Sequence, residues 1–261
     1  MSGSISRRLV TEGLIYYLDA ANPESFISGN TQWNSMDVNE NFVTLVNGPQ
    51  YLDDFKGIIR FDGTNDALSQ SQLFSPSIRN GDVSPETPDI DFELTFEMVF
   101  RLLGDGVTTG TVTNIFKTTS TSSGLQPILL YLNGGNANNL ISGAGYKTTG
   151  GTPQTLVSTN NYDINKWYHL TMSMRKTSTT TGEWLLVRNG IVLEQQTLND
   201  ISWWGNYQAT ALNTAGNRIQ VSPSPQYFEH DKAIMRVYRK GLTLDECLQN
   251  YNALKKRFKL E

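Results

Sequence analysis

The side chains with the most to offer chemically are two histidines, a cluster of three carboxylates, one cysteine and a pair of adjacent tryptophans. His169 and His230 are the only histidines, and so the only side chains whose ordinary pKa suits proton transfer near neutrality. His169 stands beside Trp167 in an alternating apolar run and reads as a hydrogen-bonded strand histidine. His230, in Phe228-Glu-His-Asp231, reads as a turn residue ahead of a strand. Glycoside cleavage needs two carboxylates facing each other across the scissile bond. Asp91, Glu93 and Glu97 instead fall on one side of a single alternating segment, the pattern of an ordinary polar strand face. There is no Gly-x-Ser-x-Gly elbow. Cys247 is the sole cysteine, set in an apolar helical stripe where a thiol serves packing, and no intrachain disulfide can form. No catalytic residue emerges, and the chain is expected not to be an enzyme.

Asp62, Asn65 and Asp66 could present oxygens within one turn. Calcium takes roughly six to eight oxygens with several carboxylates, whereas Asp and Asn side chains cap such a turn by themselves. Neither a metal nor a cofactor is expected. Trp203, Trp204 and Tyr207 lie in the polar stretch Asn199-Asp-Ile-Ser-Trp-Trp-Gly-Asn-Tyr207. Adjacent residues of a strand face opposite ways, so simple alternation takes at most one of the two tryptophans into a core. Local packing, a subunit or partner interface, and sugar stacking all remain open for this trio.

The elements that would carry these residues are short strands. Phe92, Leu94, Phe96, Met98, Phe100 and Leu102 alternate with Glu93, Thr95, Glu97, Val99 and Arg101, which predicts a strand with its even-numbered side chains on the core. Trp167–Met174 alternates likewise. Further strands are predicted at 14–18, 42–46, 57–61, 128–132, 140–144, 184–188, 191–195, 218–222 and 233–238. Asn189-Gly190 between two of them is a strong signal for a hairpin with a type I′ turn. Residues 75–91, with three prolines, read as a surface excursion, and 104–113 as a Gly/Thr loop. Thr243-Leu-Asp-Glu246 is a capping box. Behind it Leu244, Cys247, Leu248, Tyr251, Leu254 and Phe258 share one face of a helix over about 243–258. The basic run Lys255, Lys256, Arg257 and Lys259 suits that helix's C-terminal dipole. The reading is an N-terminal arm over 1–12 followed by one domain over 13–261: all-β, a two-layer antiparallel sandwich with a C-terminal helix.

Composition narrows the function classes. The 261 residues are 38% hydrophobic and 18% charged, with 21 Lys plus Arg against 25 Asp plus Glu and a net charge of −4. Nucleic-acid binding draws on clustered cations that neutralise phosphates, and no such face is apparent, so no nucleic-acid partner is expected. No run approaches the roughly 18 apolar residues of a membrane span, and the N-terminus lacks the apolar core of a signal peptide. No membrane partner is expected, and the chain reads as made in a reducing cytosol.

Several segments, taken in order, resemble the concanavalin A-like, laminin G-like jelly-roll superfamily in the version found in virion proteins of tailed bacteriophages. They are Gly13-Leu-Ile-Tyr-Tyr-Leu-Asp-Ala20 with Asn22-Pro23 and Ser25-Phe26, Trp33 ahead of Gly48-Pro-x-Tyr51, and Phe61-Asp-Gly-Thr-Asn-Asp66. After them come Leu94-Thr-Phe-Glu97, Trp167-Tyr-His169, Val187-Arg-Asn-Gly190, and Arg236-Val-Tyr-Arg-Lys-Gly-Leu-Thr243 leading into Asn250-Tyr-Asn-Ala-Leu-Lys-Lys-Arg-Phe258. The resemblance implies two antiparallel sheets in a jelly roll, with the N- and C-terminal strands as neighbours. It also implies a structural protein of the virion, assembled in the host cytoplasm as a capsid decoration, head fibre or tail-associated protein. Capsid or tail proteins and further copies of the chain would be its partners, with carbohydrate as an additional ligand. The alternative is a glycan-binding lectin module for host or mucus adhesion. A glycoside hydrolase is the remoter reading, because the superfamily's Glu-x-Asp-x-x-Glu strand motif is not matched by Asp91, Glu93 and Glu97. Regions 75–91, 104–126 and 196–215 depart from the short loops of the pattern, and behaviour particular to this chain is expected there.

Overall fold

The computed structural model describes residues 8–37, 41–69, 93–104, 112–117, 129–133, 140–145, 154–158, 162–199, 201 and 229–261. In chain order the strands begin with β1 (Leu14–Asp19), β2 (Gln32–Asn34), β3 (Phe42–Val46), β4 (Gln50–Leu52), β5 (Ile58–Asp62), β6 (Ala67–Ser69) and β7 (Leu94–Leu102). They continue with β8 (Val112–Lys117), β9 (Leu129–Asn133), β10 (Leu140–Gly145), β11 (Gln154–Val157), β12 (Trp167–Lys176), β13 (Gly182–Arg188), β14 (Ile191–Leu198) and β15 (Glu229–Tyr238). Helix α1 (Leu244–Phe258) ends the series. Every pairing among the described residues is antiparallel. The large sheet runs β14-β13-β12-β7-β15-β5-β4, with β1 also on β15, and smaller sheets run β11-β10-β9-β8 and β2-β3-β6. The β1–β15 pairing makes the first and last described strands neighbours, as the resemblance implied.

Period-two burial organises the sandwich. Leu94, Phe96, Met98, Phe100 and Leu102 all enter the main core, where they meet Trp33, Val43, Leu45 and Leu68 of the β2-β3-β6 sheet. Cross-strand register aligns the second alternating segment with the first: Phe96 faces Met172, Met98 faces Leu170, and Phe100 faces Tyr168. Tyr168 and Tyr162 in turn stack around Phe100. Such ladders of large apolar pairs are the stabilising unit of a sheet.

The other face of β7 is not a solvent face. Thr95, Glu97 and Val99 are buried, because α1 lies across that side of the sheet. Tyr251, Leu254 and Phe258 of the helix pack on Val99, Trp167 and Ile234, while Cys247 packs on Val187 and Tyr238. The capping box forms as expected, with Thr243 Oγ1 accepting from the Glu246 amide and the Glu246 carboxylate accepting from the Thr243 amide. Leu244, assigned to the inward stripe, is instead exposed, and Asn250 takes an inward place beside Tyr251. The Asn189-Gly190 turn has φ of 49° and 77°, both positive, as a type I′ hairpin requires.

Two further expectations need correcting. His230 is not a turn residue: it is buried in β15 and stacks on Phe61 with ring centroids 4.4 Å apart. A bulge between Lys232 and Ile234 hides this stretch from a periodicity reading. Before it His230 and Lys232 align with the inward Leu102 and Phe100; after it Met235 and Val237 align with Met98 and Phe96, so the alternation changes phase. The Gly/Thr loop read over 104–113 also runs into β8, which starts at Val112. The predicted strand at 218–222 and the excursion at 75–91 lie outside the described residues.

Candidate functional site

Trp203, Trp204 and Tyr207, the aromatic binding candidates, lie outside the described residues, so the structure neither brings them together nor separates them. The described polar chemistry gathers instead on the side of the large sheet that α1 covers. There β7, β12 and β15 bring Glu97, His169 and Arg236 side by side, and the helix adds Asn250. Glu97 is 1% exposed and His169 is fully buried. Glu97 Oε1 accepts from Arg236 Nη1 at 2.5 Å and lies 2.9 Å from His169 Nε2, while Oε2 accepts from Asn250 Nδ2 at 2.6 Å. Asn250 Nδ2 also reaches the Tyr238 hydroxyl, and its Oδ1 accepts from the Val10 amide, tying the N-terminal segment to the same cluster. The Arg236 guanidinium lies 4.5 Å over the Tyr17 ring.

Burial alone would raise the Glu97 pKa, but Arg236, His169 and the hydrogen bonds prevail and bring it down to about 2. The carboxylate is therefore a permanent anion with both oxygens engaged. Glu93 is similarly committed, accepting from the Lys176 amide with one oxygen and the Gly241 amide with the other. This grouping joins strands, helix and N-terminal segment; it offers no free acid to a substrate. Burial pushes the Cys247 thiol well above its ordinary pKa, which suits the packing role read from the sequence.

A second cluster sits nearer the C-terminal end of α1. Asp231, fully buried, accepts from Arg60 and Arg101, and Arg101 lies 5.0 Å over the Trp167 ring. Arg257 of the basic run is not mere decoration: it holds both Asp19 oxygens and the carbonyls of Phe55 and Gly57. The Asp62 turn keeps to turn chemistry, with Asp62 Oδ1 accepting from the Thr64 amide at 2.7 Å and Asp66 Oδ2 from the Asp62 amide at 3.0 Å. Among the described residues no group of three or more His, Cys, Asp or Glu could hold a metal.

The sequence reading missed Lys232 altogether. It projects into the core between Phe100 of β7 and Ile59 of β5, fully buried, with its Nζ 6.0 Å from the Phe61 ring centroid and no hydrogen-bond partner among the described residues. Burial pushes its pKa down to about 7. The available signal was a charge immediately ahead of the predicted strand 233–238, which a turn explains equally well.

No family model matches the chain, and no curated protein matches it. Solved structures do match. The binding domain of botulinum neurotoxin DC in complex with SialylT superposes with a TM-score of 0.63 at 12% identity, covering 93% of this chain and 52% of that one. The same domain in complex with rat synaptotagmin II gives 0.64 at 13% identity with the same coverage. A Trypanosoma rangeli sialidase in complex with 2,3-difluorosialic acid gives 0.58 at 10%, covering 95% of this chain and 34% of the sialidase. The chain thus spans about half the length of these neurotoxin domains and a third of the sialidase. At such identities the likeness shows the fold alone: an all-β, jelly-roll-like sandwich.

Proposed function

We propose that this chain is a non-enzymatic, lectin-like recognition and assembly module of a tailed-phage virion, contacting capsid or tail proteins and attaching through surface carbohydrate. The observation that carries the non-catalytic part is the state of the strand-face carboxylates. Glu93 and Glu97 are both saturated by protein donors, and Glu97 is sealed beneath a helix. A facing acid pair, which glycoside cleavage requires, is not available from them. The carbohydrate part draws support from the fold neighbours, among them a neurotoxin domain in complex with SialylT and a sialidase in complex with 2,3-difluorosialic acid. A sandwich presents recognition on loops held by a rigid core, and Trp203, Trp204 and Tyr207 supply the aromatic faces that sugars stack on. The virion setting rests on the ordered sequence motifs.

An array of neutral and sialylated oligosaccharides tests the ligand. Binding is expected for the unaltered protein and its loss for Trp203→Ala or Trp204→Ala; an array without signal removes the carbohydrate role. Locating the chain in an electron-microscopy map of the phage particle tests the setting, and a particle without it removes the virion role.

A further inference from the structure

Among the described residues the large sheet ends on two unlike strands. One is β4, three residues long; the other is β14, eight residues long. Exposed edges invite pairing with other chains, and proteins blunt them with short strands, prolines or lysines. β4 is blunted by its length. β14 reads Ile-Val-Leu-Glu-Gln-Gln-Thr-Leu, with no proline, no cation and a single charge at Glu194. Gln195, Gln196 and Thr197 are exposed, and Ile191 is 65% exposed, the largest value among the exposed large hydrophobics of the described residues. The two-residue turn makes Arg188 and Ile191 a mutually bonded pair. Alternation along β13, whose Trp184 and Leu185 face Gln196 and Gln195, then turns the main-chain groups of Gln195 and Thr197 away from the sheet.

We propose that a second copy of this chain pairs with β14, edge to edge and antiparallel about a two-fold axis, joining two eight-stranded sheets into one. The sequence of β14 is self-complementary in this arrangement. A two-fold at Gln195 sets Glu194 opposite Gln196, Leu193 opposite Thr197 and Val192 opposite Leu198, so no like charges meet across the seam. Such pairing is independent of whether the loops bind a glycan.

Sedimentation velocity on the full chain tests it. The mass is expected to rise from one to two chains between about 1 µM and about 100 µM, as for a weak self-association with a dissociation constant of about 10 µM. Gln195→Pro removes an amide that points outward and so spares the fold, and Thr197→Lys sets a cation on the seam without touching the backbone. With circular dichroism unchanged, both variants are expected to stay at one chain mass. A single mass at every concentration, or a dimer that persists in both variants, overturns the proposal. So does a chain that stays monomeric while an added extended peptide slows hydrogen exchange at Gln195 and Thr197, which would assign the edge to strand addition by another protein.

Discussion

Lys232→Met should make this protein more stable. The amine is fully buried against Phe61 with no hydrogen-bond partner among the described residues, and burial takes its pKa from 10.5 to about 7. A base whose folded pKa is depressed burdens the fold fully below that folded value and not at all above the unfolded one. Stability of the unaltered protein therefore climbs as pH rises from about 7 toward 10.5. At about 1.4 kcal/mol per pH unit, the whole interval is on the order of 5 kcal/mol. Methionine keeps the apolar stem and drops the charge, so a gain of roughly 2–4 kcal/mol is expected at pH 7. The advantage should shrink by roughly 2 kcal/mol by pH 9, because the proton that the parent's lysine gives up on folding is released at less cost as pH rises. Urea unfolding followed by tryptophan fluorescence at pH 7, 8 and 9 reads both quantities. Comparing the two proteins at each pH cancels the tyrosines and Cys247, which titrate in both. A stability difference that does not change with pH would refute the reasoning, whatever its size.

Phe96→Ala and Phe100→Ala are each expected to cost about 3–5 kcal/mol by opening cavities in the main core; midpoints within about 1 kcal/mol of the parent would show that these rings are not packed as described. Glu97→Gln should cost about 3–5 kcal/mol in urea unfolding near neutral pH, because it leaves Arg236 buried without its counter-charge. The Glu97 contribution is present above the ordinary 4.5 and is lost as pH falls toward about 2, so an acid titration of stability should be flatter in the glutamine variant than in the parent. Gly190→Ala should lower stability by about 1–3 kcal/mol, since φ is +77° and the new methyl would lie 2.8 Å from Tyr251 Cδ1; an unchanged thermal midpoint would contradict that geometry.

The segments legible in advance are those whose signals are local. Strand β7 reads from alternation, α1 from its capping box and apolar spacing, and the β13–β14 hairpin from Asn189-Gly190. What escaped has non-local causes. Alternation left the polar face of β7, with Glu93, Thr95, Glu97 and Arg101, open to solvent or to a second layer; it is covered by a helix whose Asn250 lies 153 residues further along the chain. β15 was read only from residue 233, because the bulge at its start changes the phase of the side chains. Arg257 counted as one cation of a basic run until Asp19, 238 residues earlier, proved to be its partner.

Side-chain period and turn chemistry are properties of a few consecutive residues, so the order of residues alone determined the β class, the inward faces of β7 and β12, the I′ hairpin and the capped helix. Burial and charge pairing depend on which distant segments come to lie on each surface. Only the tertiary structure decided that Glu97 is a sealed, saturated anion, that Lys232 stands in the core, and that the long strand β14 ends the large sheet among the described residues. A carboxylate or an amine carries no mark of its surroundings in its own neighbourhood of sequence, and its chemistry is set by the dielectric and the partners that folding brings to it.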